Sequence, residues 1–356
     1  MSALDHTSVF IMAGGSGERF WPLSRKKTPK HLLKLFGDQT LLEMTVRRLE
    51  GIIPWDRVFV LTNAEQVEAT RAALPFLPVT QIIGEPAKRD TAPAVALANA
   101  LARRQNPDGV LVLLPADQLI KDTATFRRNL SDLIETAATG ESLCVFGIPP
   151  AHPATGFGYI EMGAPRGQAA GGTRLFQVGR FVEKPDAATA AEYVRSGRFD
   201  WNAGMFVWKV SAFMAEARRQ APALAQFVED FPAGDFGPYL EERFVTLPKI
   251  SIDYALMEKA LSVIAARAEY DWDDVGAWTS LPAHLPADPS GNTLRGAAAL
   301  HDSSGNIVFS EGQTSVALLG VRDLVVVVTA DAVLVCPRDR VQEIKKLVPQ
   351  LPPDLL

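Results

Sequence analysis

Cysteine, histidine and long apolar runs are what this sequence has least of. Among 356 residues there are two Cys and five His. Cys144 and Cys336 each sit in an apolar run, which is neither a disulfide framework nor a CxxC metal pattern; both are expected to be buried thiols in a reducing compartment. The histidines (His6, His31, His152, His284, His301) show no metal-ligand spacing. Basic runs are also missing: 36 Lys and Arg stand against 41 Asp and Glu, so no electrostatic footprint for nucleic acid exists. No segment reads as a membrane span. The most apolar late stretch, Leu324 to Val335, is broken by Asp331 and flanked by Arg322 and Asp323. Val9 to Ala13 is too short for a signal peptide and has no basic region before it. A cytoplasmic protein with no nucleic-acid or membrane partner is expected.

What is present is a chain 47% hydrophobic and 22% charged, long enough for two domains at about 100–200 residues each. Ser8 to Ala13, Arg57 to Thr62, Val79 to Ile83, Val110 to Leu114 and Leu143 to Gly147 are short, apolar and rich in branched residues. They read as strands buried on both faces. Amphipathic stretches alternate with them. Thr40 and Glu43 have capping-box spacing ahead of a helix to about Glu50; Asn63 is placed to cap a helix to Leu74; Pro93 lies in the first turn of an Ala-rich helix to Gln105. This alternation predicts an α/β fold, a Rossmann-like doubly wound mixed sheet with ligands at the carboxyl ends of its strands. From about residue 290 short strands and turns take over, then Arg338 to Val348 reads as an amphipathic helix. The predicted division is residues 1–285 and a small β-rich domain at 286–356. No internal repeat is discernible.

The first strand runs into Gly14-Gly15-Ser16-Gly17-Glu18-Arg19. Glycines there let backbone N–H groups approach phosphate oxygens. Neither the GxGxxG nor the GxxxxGK[ST] spacing is met, so a dehydrogenase and a P-loop NTPase are both disfavoured. Arg19 and Lys30 supply two cations close to this loop, able to neutralise a triphosphate and its leaving pyrophosphate. Asp117, just past the apolar strand Val110 to Leu114, stands where a carboxylate can face the ligand crevice and hold Mg²⁺; a solvated loop aspartate is the plainer alternative.

The stretch Met12 to Arg25, through Pro29-Lys30, resembles the signature of the sugar-1-phosphate nucleotidylyltransferases, most closely the mannose-1-phosphate guanylyltransferase (GDP-mannose pyrophosphorylase) branch. The resemblance implies that Gly14, Gly15, Ser16 and Gly17 wrap a nucleoside triphosphate while Arg19 and Lys30 bind its phosphates. Gly84-Glu85-Pro86 and Arg89 to Pro93 are similar to the base-recognising segment, implicating Glu85, Thr91 and Ala92. Asp271 to Trp278 contains a D-V-G-x-W pattern similar to the family's second metal site, which maps to Asp274; Asp273 is the weaker choice, and Asp271 reads as a solvated acid. Gln118 stands where the family usually has His. Thr155 to Ile160 resembles the sugar loop, with Gly156 and Gly158 opening it and Phe157 where Tyr is common. Phe181 to Asp186 implies Lys184 on the sugar phosphate and Glu183 on a sugar hydroxyl. Asn202 can pair with sugar hydroxyls in both directions. Ile250 to Lys259 also matches, its apolar members expected in the core.

A C-terminal β-helix-like domain that serves assembly and a short form without the isomerase domain of longer members complete what the resemblance implies; the β-rich tail suggests a homodimer. Its reaction would be attack of a sugar phosphate on the α-phosphorus of GTP, with Mg²⁺ held by Asp117 and Asp274. Alternatives are another sugar such as a heptose 1-phosphate, or a catalytically silent paralogue that binds nucleotide sugar and regulates a partner. The intact set of Arg19, Lys30, Asp117, Lys184 and Asp274 argues against silence.

Overall fold

The computed structural model describes residues 2–15 and 17–356. Nine strands form the main sheet: β1 (Thr7–Ala13), β2 (Val58–Asn63), β3 (Ile82–Glu85), β4 (Val110–Pro115), β5 (Leu143–Ile148), β6 (Tyr159–Gln168), β7 (Arg174–Val182), β8 (Phe199–Lys209) and β9 (Val263–Arg267). Their spatial order is β3-β2-β1-β4-β8-β5-β9-β7-β6. From β3 to β4 all pairings are parallel. The chain leaves β1 toward β2 and β3, then returns to the other side as β4, so the crevice of the topological switch opens at the carboxyl ends of β1 and β4.

Alternate residues of the central strands feed two separate cores. Val9, Ile11, Val58, Val60, Val110 and Val112 face the cluster that includes Phe126 and Leu130 of helix Thr123–Thr139. Phe10, Phe59, Leu61, Leu111 and Leu113 face helix Thr91–Gln105. Burial on both faces is why these strands lack polar alternation. The sheet is mixed, as expected, but in a way the strand–helix alternation concealed. β8 inserts antiparallel between β4 and β5, although β4 and β5 are consecutive strands in the chain.

Several local boundaries differ from the sequence reading. Residues 79–81 are a 3-10 turn, and β3 begins only at Ile82. Thr40 accepts from the Glu43 N–H at 3.0 Å, but the Glu43 carboxylate pairs with Arg47 at 2.8 Å, so the capping box is half made and the helix ends at Arg47. Arg338 to Val348 is a 3-10 turn, Arg338–Glu343, followed by one α-turn, Ile344–Leu347. Cys144 is buried, whereas Cys336 on an edge strand is only half-buried.

After residue 290, strands Thr293–Arg295, Ile307–Ser310 and Leu324–Val328 stack in parallel, and Ala298–His301 pairs in parallel with Val316–Leu319. Thr293 lies opposite Ile307, 14 residues on, whereas Ile307 lies opposite Val325 and Ala298 opposite Val316, both 18 residues on. This is a coiled repeat that the sequence reading did not find. Its signature is only apolar positions inside the coil, with an Asn ladder: Asn292 Oδ1 accepts from Asn306 N–H, and Asn306 Oδ1 accepts from Leu324 N–H, both at 3.0 Å. The tail does not stand apart. Ile307, Phe309, Val325, Val327, Val341 and Ile344 share one core with Phe20, Trp21 and Trp278.

Candidate active site

The first cluster of predicted residues follows from register. Met12 on β1 lies opposite Pro115 on β4, so the glycine loop and Asp117 leave the sheet at the same edge. Among the described residues, chain neighbours aside, no heavy atom lies within 4 Å of where a Cβ on Gly14 or Gly15 would stand. Ser16, assigned to this loop from sequence, lies outside the described residues. Gly17 has φ 66°, and Lys30 packs directly on it: a Cβ would fall inside the Lys30 side chain, 2.9 Å from its backbone N. Lys30 is buried. Its Nζ is 2.9 Å from Asp117 Oδ2 and donates to the Asp274 carbonyl at 2.5 Å.

Asp274 reaches Asp117 through a two-residue bridge. Leu119 N–H donates to Asp273 O at 2.9 Å and Asp273 N–H to Leu119 O at 3.0 Å. The Asp273 carboxylate accepts from Val275 N–H at 2.6 Å and lies 2.7 Å from His284 Nε2. It therefore builds the turn that carries Asp274. Val275 is held at φ 49°, a left-handed conformation that β-branched residues avoid and that concentrates at functional sites. Arg19 closes the ring, donating from Nη1 to Gly276 O at 3.1 Å. Gly17, Arg19, Lys30, Asp117 and Asp274 line one cavity of about 280 Å³.

Burial pushes the Asp274 carboxyl up to about 6, with repulsion from Asp117 and Asp273 adding to the rise and Lys30 and Arg19 opposing it. Two carboxylates that raise each other's cost of ionisation are relieved by a cation between them. Oxygen donors in a pair, beside a space for phosphates, suit a hard divalent ion that takes its remaining ligands from substrate and water. Among the described residues no group of three or more His, Cys, Asp or Glu side chains could hold a metal. His31 is buried and driven down to about 4, chiefly by burial, with Asp117 opposing and Lys30 adding to the fall. It stays neutral at pH 7 and is a structural neighbour of Lys30.

A second set of predicted residues meets at the β6–β8 end. Gly158 has no room for a side chain: a Cβ would stand 2.5 Å from Glu183 Oε2 and 3.3 Å from Asn202 Cβ. Gly156 faces open space. Glu183 Oε1 is 2.6 Å from Lys184 Nζ. Burial opposes the Lys184 charge, but the hydrogen bond and charge of Glu183, with Asp253, outweigh it and hold the ammonium above its ordinary value. Asn202 donates from Nδ2 to Asp253 at 2.9 Å and accepts from Gly204 N–H at 2.9 Å, so one N–H and one lone pair remain for a ligand. Asp253 was missed in the sequence. Burial and the Glu183 charge push it up to about 6. It lies inside the matching segment Ile250 to Lys259, but directly behind Ser251, which caps the short helix Ile252–Ala255 and makes Asp253 look like an ordinary first-turn carboxylate.

On the far side of the switch, Glu85 ends β3 opposite Asn63 of β2. It is buried, and desolvation raises its carboxyl to about 8. Thr91 and Ala92 are placed differently from Glu85. Thr91 Oγ1 accepts from Ile252 N–H at 2.9 Å and Ala92 N–H donates to Ile250 O at 3.1 Å. They tie the helix beyond Glu85 to the segment that carries Asp253.

Two residues beside the predicted metal site have structural work. Asp271 is not simply solvated, since it accepts from Lys121 N–H at 3.0 Å and Asp122 N–H at 2.6 Å. Gln118 is buried, donating to Ala203 O at 2.7 Å and accepting from Trp272 Nε1 at 2.9 Å, which locks the loop after Asp117 to β8.

Residues 8–289 match the nucleotidyl transferase family, and residues 298–351 match the MannoseP isomerase/GMP-like β-helix domain. The chain is 38% identical to a mannose-1-phosphate guanylyltransferase of Escherichia coli K12, over 97% of this chain and 73% of that protein. It is also 38% identical to the xanthan biosynthesis protein XanB of Xanthomonas campestris, over 96% of this chain and 72% of that one. A crystal structure from Thermus thermophilus, described as a mannose-1-phosphate geranyltransferase, superposes with a TM-score of 0.87 at 36% identity, covering 97% of this chain and 99% of that chain. The order of motifs, the shared cavity and these full-length similarities place the chain in the nucleotidyl transferase family, among the mannose-1-phosphate guanylyltransferases that carry the β-helix domain.

Proposed function

We propose that the protein transfers GMP from GTP to α-D-mannose 1-phosphate, giving GDP-mannose and pyrophosphate. The observation that carries this is the convergence of Arg19, Lys30, Asp117 and Asp274 on one cavity at the switch point, with Lys184, Glu183 and Asn202 grouped at the sugar end. A sugar-phosphate oxygen, already ionised at pH 7, attacks the α-phosphorus in line and needs no general base. Positioning and charge neutralisation supply the catalysis. Asp117 and Asp274 would hold Mg²⁺, whose chemistry here is to neutralise charge on the reacting phosphates. Arg19 and Lys30 steady the triphosphate and its leaving group, and Lys184 aims the sugar phosphate.

Pyrophosphate release tests the reading directly, crossing the four NTPs with mannose, glucose and heptose 1-phosphates in the presence of Mg²⁺. Release with GTP and mannose 1-phosphate alone supports it. A different productive pair keeps the chemistry and replaces the substrates. Folded protein that binds nucleotide and releases nothing would favour the silent regulatory role.

Glu85 supplies the base-selective group in this proposal. Its carboxylate can accept from N1–H and the exocyclic amine of guanine, and those donors favour the ionised form. GTP affinity should therefore rise between pH 6 and pH 8, and Glu85→Gln should lose preference for GTP over ITP, which lacks the amine. Stability moves the other way. An acid whose folded pKa is raised contributes most below its unfolded pKa and loses that contribution as pH climbs toward about 8. Glu85→Gln should then unfold at a higher temperature than wild type at pH 8 and at the same temperature near pH 5. An unchanged GTP/ITP ratio would remove Glu85 from base recognition.

The division at residue 285 and the homodimer belong to the same proposal. Support for the dimer comes from the tail, where Leu319, Val333 and Val335 are exposed and Val333–Pro337 is an edge strand of its sheet. No helix among the described residues is long and apolar enough to cross a membrane, and a cytoplasmic location fits the proposed substrates.

A further inference from the structure

The phosphate cavity has one wall residue from the far end of the chain. Lys345 lines it together with Gly17, Arg19, Lys30, Asp117 and Asp274. The route is built by packing. After the last strand, the segment Arg338–Leu347 lies over the turn Glu18–Phe20, and its Val341 and Ile344 enter the same core as Phe20 and Trp278. Farther on, Leu355 O accepts from Trp21 Nε1 at 3.0 Å and from Arg25 Nη1 at 2.5 Å, while Arg25 also pairs with Asp331 at 2.9 Å. The tail is thus fastened on both sides of Lys345. Ile344 points into the core, and the next residue is turned about 100° around the helix, away from that core. Its neighbour Lys346 pairs with Glu343 at 3.5 Å. Lys345 is exposed and makes no ion pair among the described residues.

We propose that Lys345 is a phosphate-binding residue of the active site, contacting the β- and γ-phosphates of the nucleotide and the pyrophosphate formed from them. This rests on reading the cavity as the triphosphate site. Lys345 shares that cavity with Arg19 and Gly17, and Lys184 is not part of it, which assigns it to the leaving group over the sugar phosphate. As the sugar-phosphate oxygen bonds to the α-phosphorus, the α–β bridge breaks and its electron pair stays on pyrophosphate. A cation at that end stabilises the added charge. The β-helix domain then has a part in the reaction as well as in assembly, which the sequence reading had assigned to it.

Three full-length variants test this: Lys345→Ala, Lys345→Arg and Lys346→Ala. The last removes the same charge one residue away, from a side chain outside the cavity, so it controls for net charge. Lys345→Ala should raise the KM for pyrophosphate in the reverse reaction, and for GTP in the forward one, by about tenfold, the effect of one charge-assisted contact. The KM for mannose 1-phosphate should not move. Lys345→Arg should restore most of the loss, and Lys346→Ala should match wild type. Equal pyrophosphate KM values for Lys345→Ala and Lys346→Ala would overturn the assignment. Calorimetric titration with Mg-pyrophosphate separates the two levels. If wild type turns over no substrate pair, the proposed reaction fails, yet about tenfold weaker pyrophosphate binding by Lys345→Ala alone would sustain Lys345 as a phosphate ligand. Equal binding by both alanine variants would reject it.

Discussion

Replacing Asp117 or Asp274 by Asn should lower kcat by about 10³-fold while leaving the protein folded. The two changes differ in their thermal behaviour. Asn at 117 keeps an acceptor for Lys30, which also holds the Asp274 carbonyl at 2.5 Å, so the unfolding temperature should change little. Asp274 is more informative because its folded-state pKa is raised to about 6. Its favourable contribution is complete below the unfolded value and is lost as pH rises through about 6. At pH 7 the ionised, buried carboxylate is therefore a burden, and Asp274→Asn should unfold at or above the wild-type temperature, with the difference fading toward pH 4. Steady-state pyrophosphate release and thermal scans across pH read both effects. Near wild-type turnover in either variant would mean that the pair does not hold a catalytic cation.

The second large effect is expected at Gly17. Its φ of 66° and the contact with Lys30 leave no room for a side chain. Gly17→Ala should cost about 1–2 kcal/mol for the left-handed conformation and a further amount, about 1–3 kcal/mol, for overpacking. A fall in unfolding temperature of several degrees follows. Activity should suffer more than stability, because relief of the clash moves Lys30 away from Asp117 and Asp274; a loss in kcat/KM of at least about 10²-fold is expected. Gly15→Ala provides the contrast, since among the described residues, chain neighbours aside, a Cβ there meets nothing within 4 Å. It should leave the unfolding temperature unchanged and raise the KM for GTP. A Gly17→Ala enzyme with normal kcat would show that the position of Lys30 is not critical.

Much of the site was legible because its chemistry sits in short, contiguous segments. The glycine loop with Arg19 and Lys30, the acid after β4, the Glu183-Lys184 pair and the turn at Asp274 all carry their own local pattern, and the structure gathers them into two clusters, one around Lys30 and one around Glu183. What stayed hidden depends on partners far away in sequence. Asp253 became notable only when Asn202 and Glu183 were found beside it. Thr91 and Ala92 bind the backbone of residues 250–252, about 160 residues away, a tie that no local pattern announces. The coil escaped notice because its turns differ in length, 14 residues and then 18, and its repeat is a burial pattern with little shared residue identity.

The sequence by itself determined the elements that follow from local period and composition: the doubly buried strands β1, β2 and β4, the helix opened by Thr91, the glycine turn, and the class of chemistry that its cations and acids can perform. Tertiary structure alone decided that β8 separates β4 from β5, that Lys30 stands between Asp117 and the Asp274 carbonyl, and that Lys345 arrives from the tail at the cavity lined by Arg19 and Asp117. Propensity and hydrophobic period act over a few residues, whereas these placements arise from burying apolar faces against segments up to hundreds of residues away. Phe20, Trp278 and Ile344 enter one core, and that shared burial carries the charged side chains beside them into a single site.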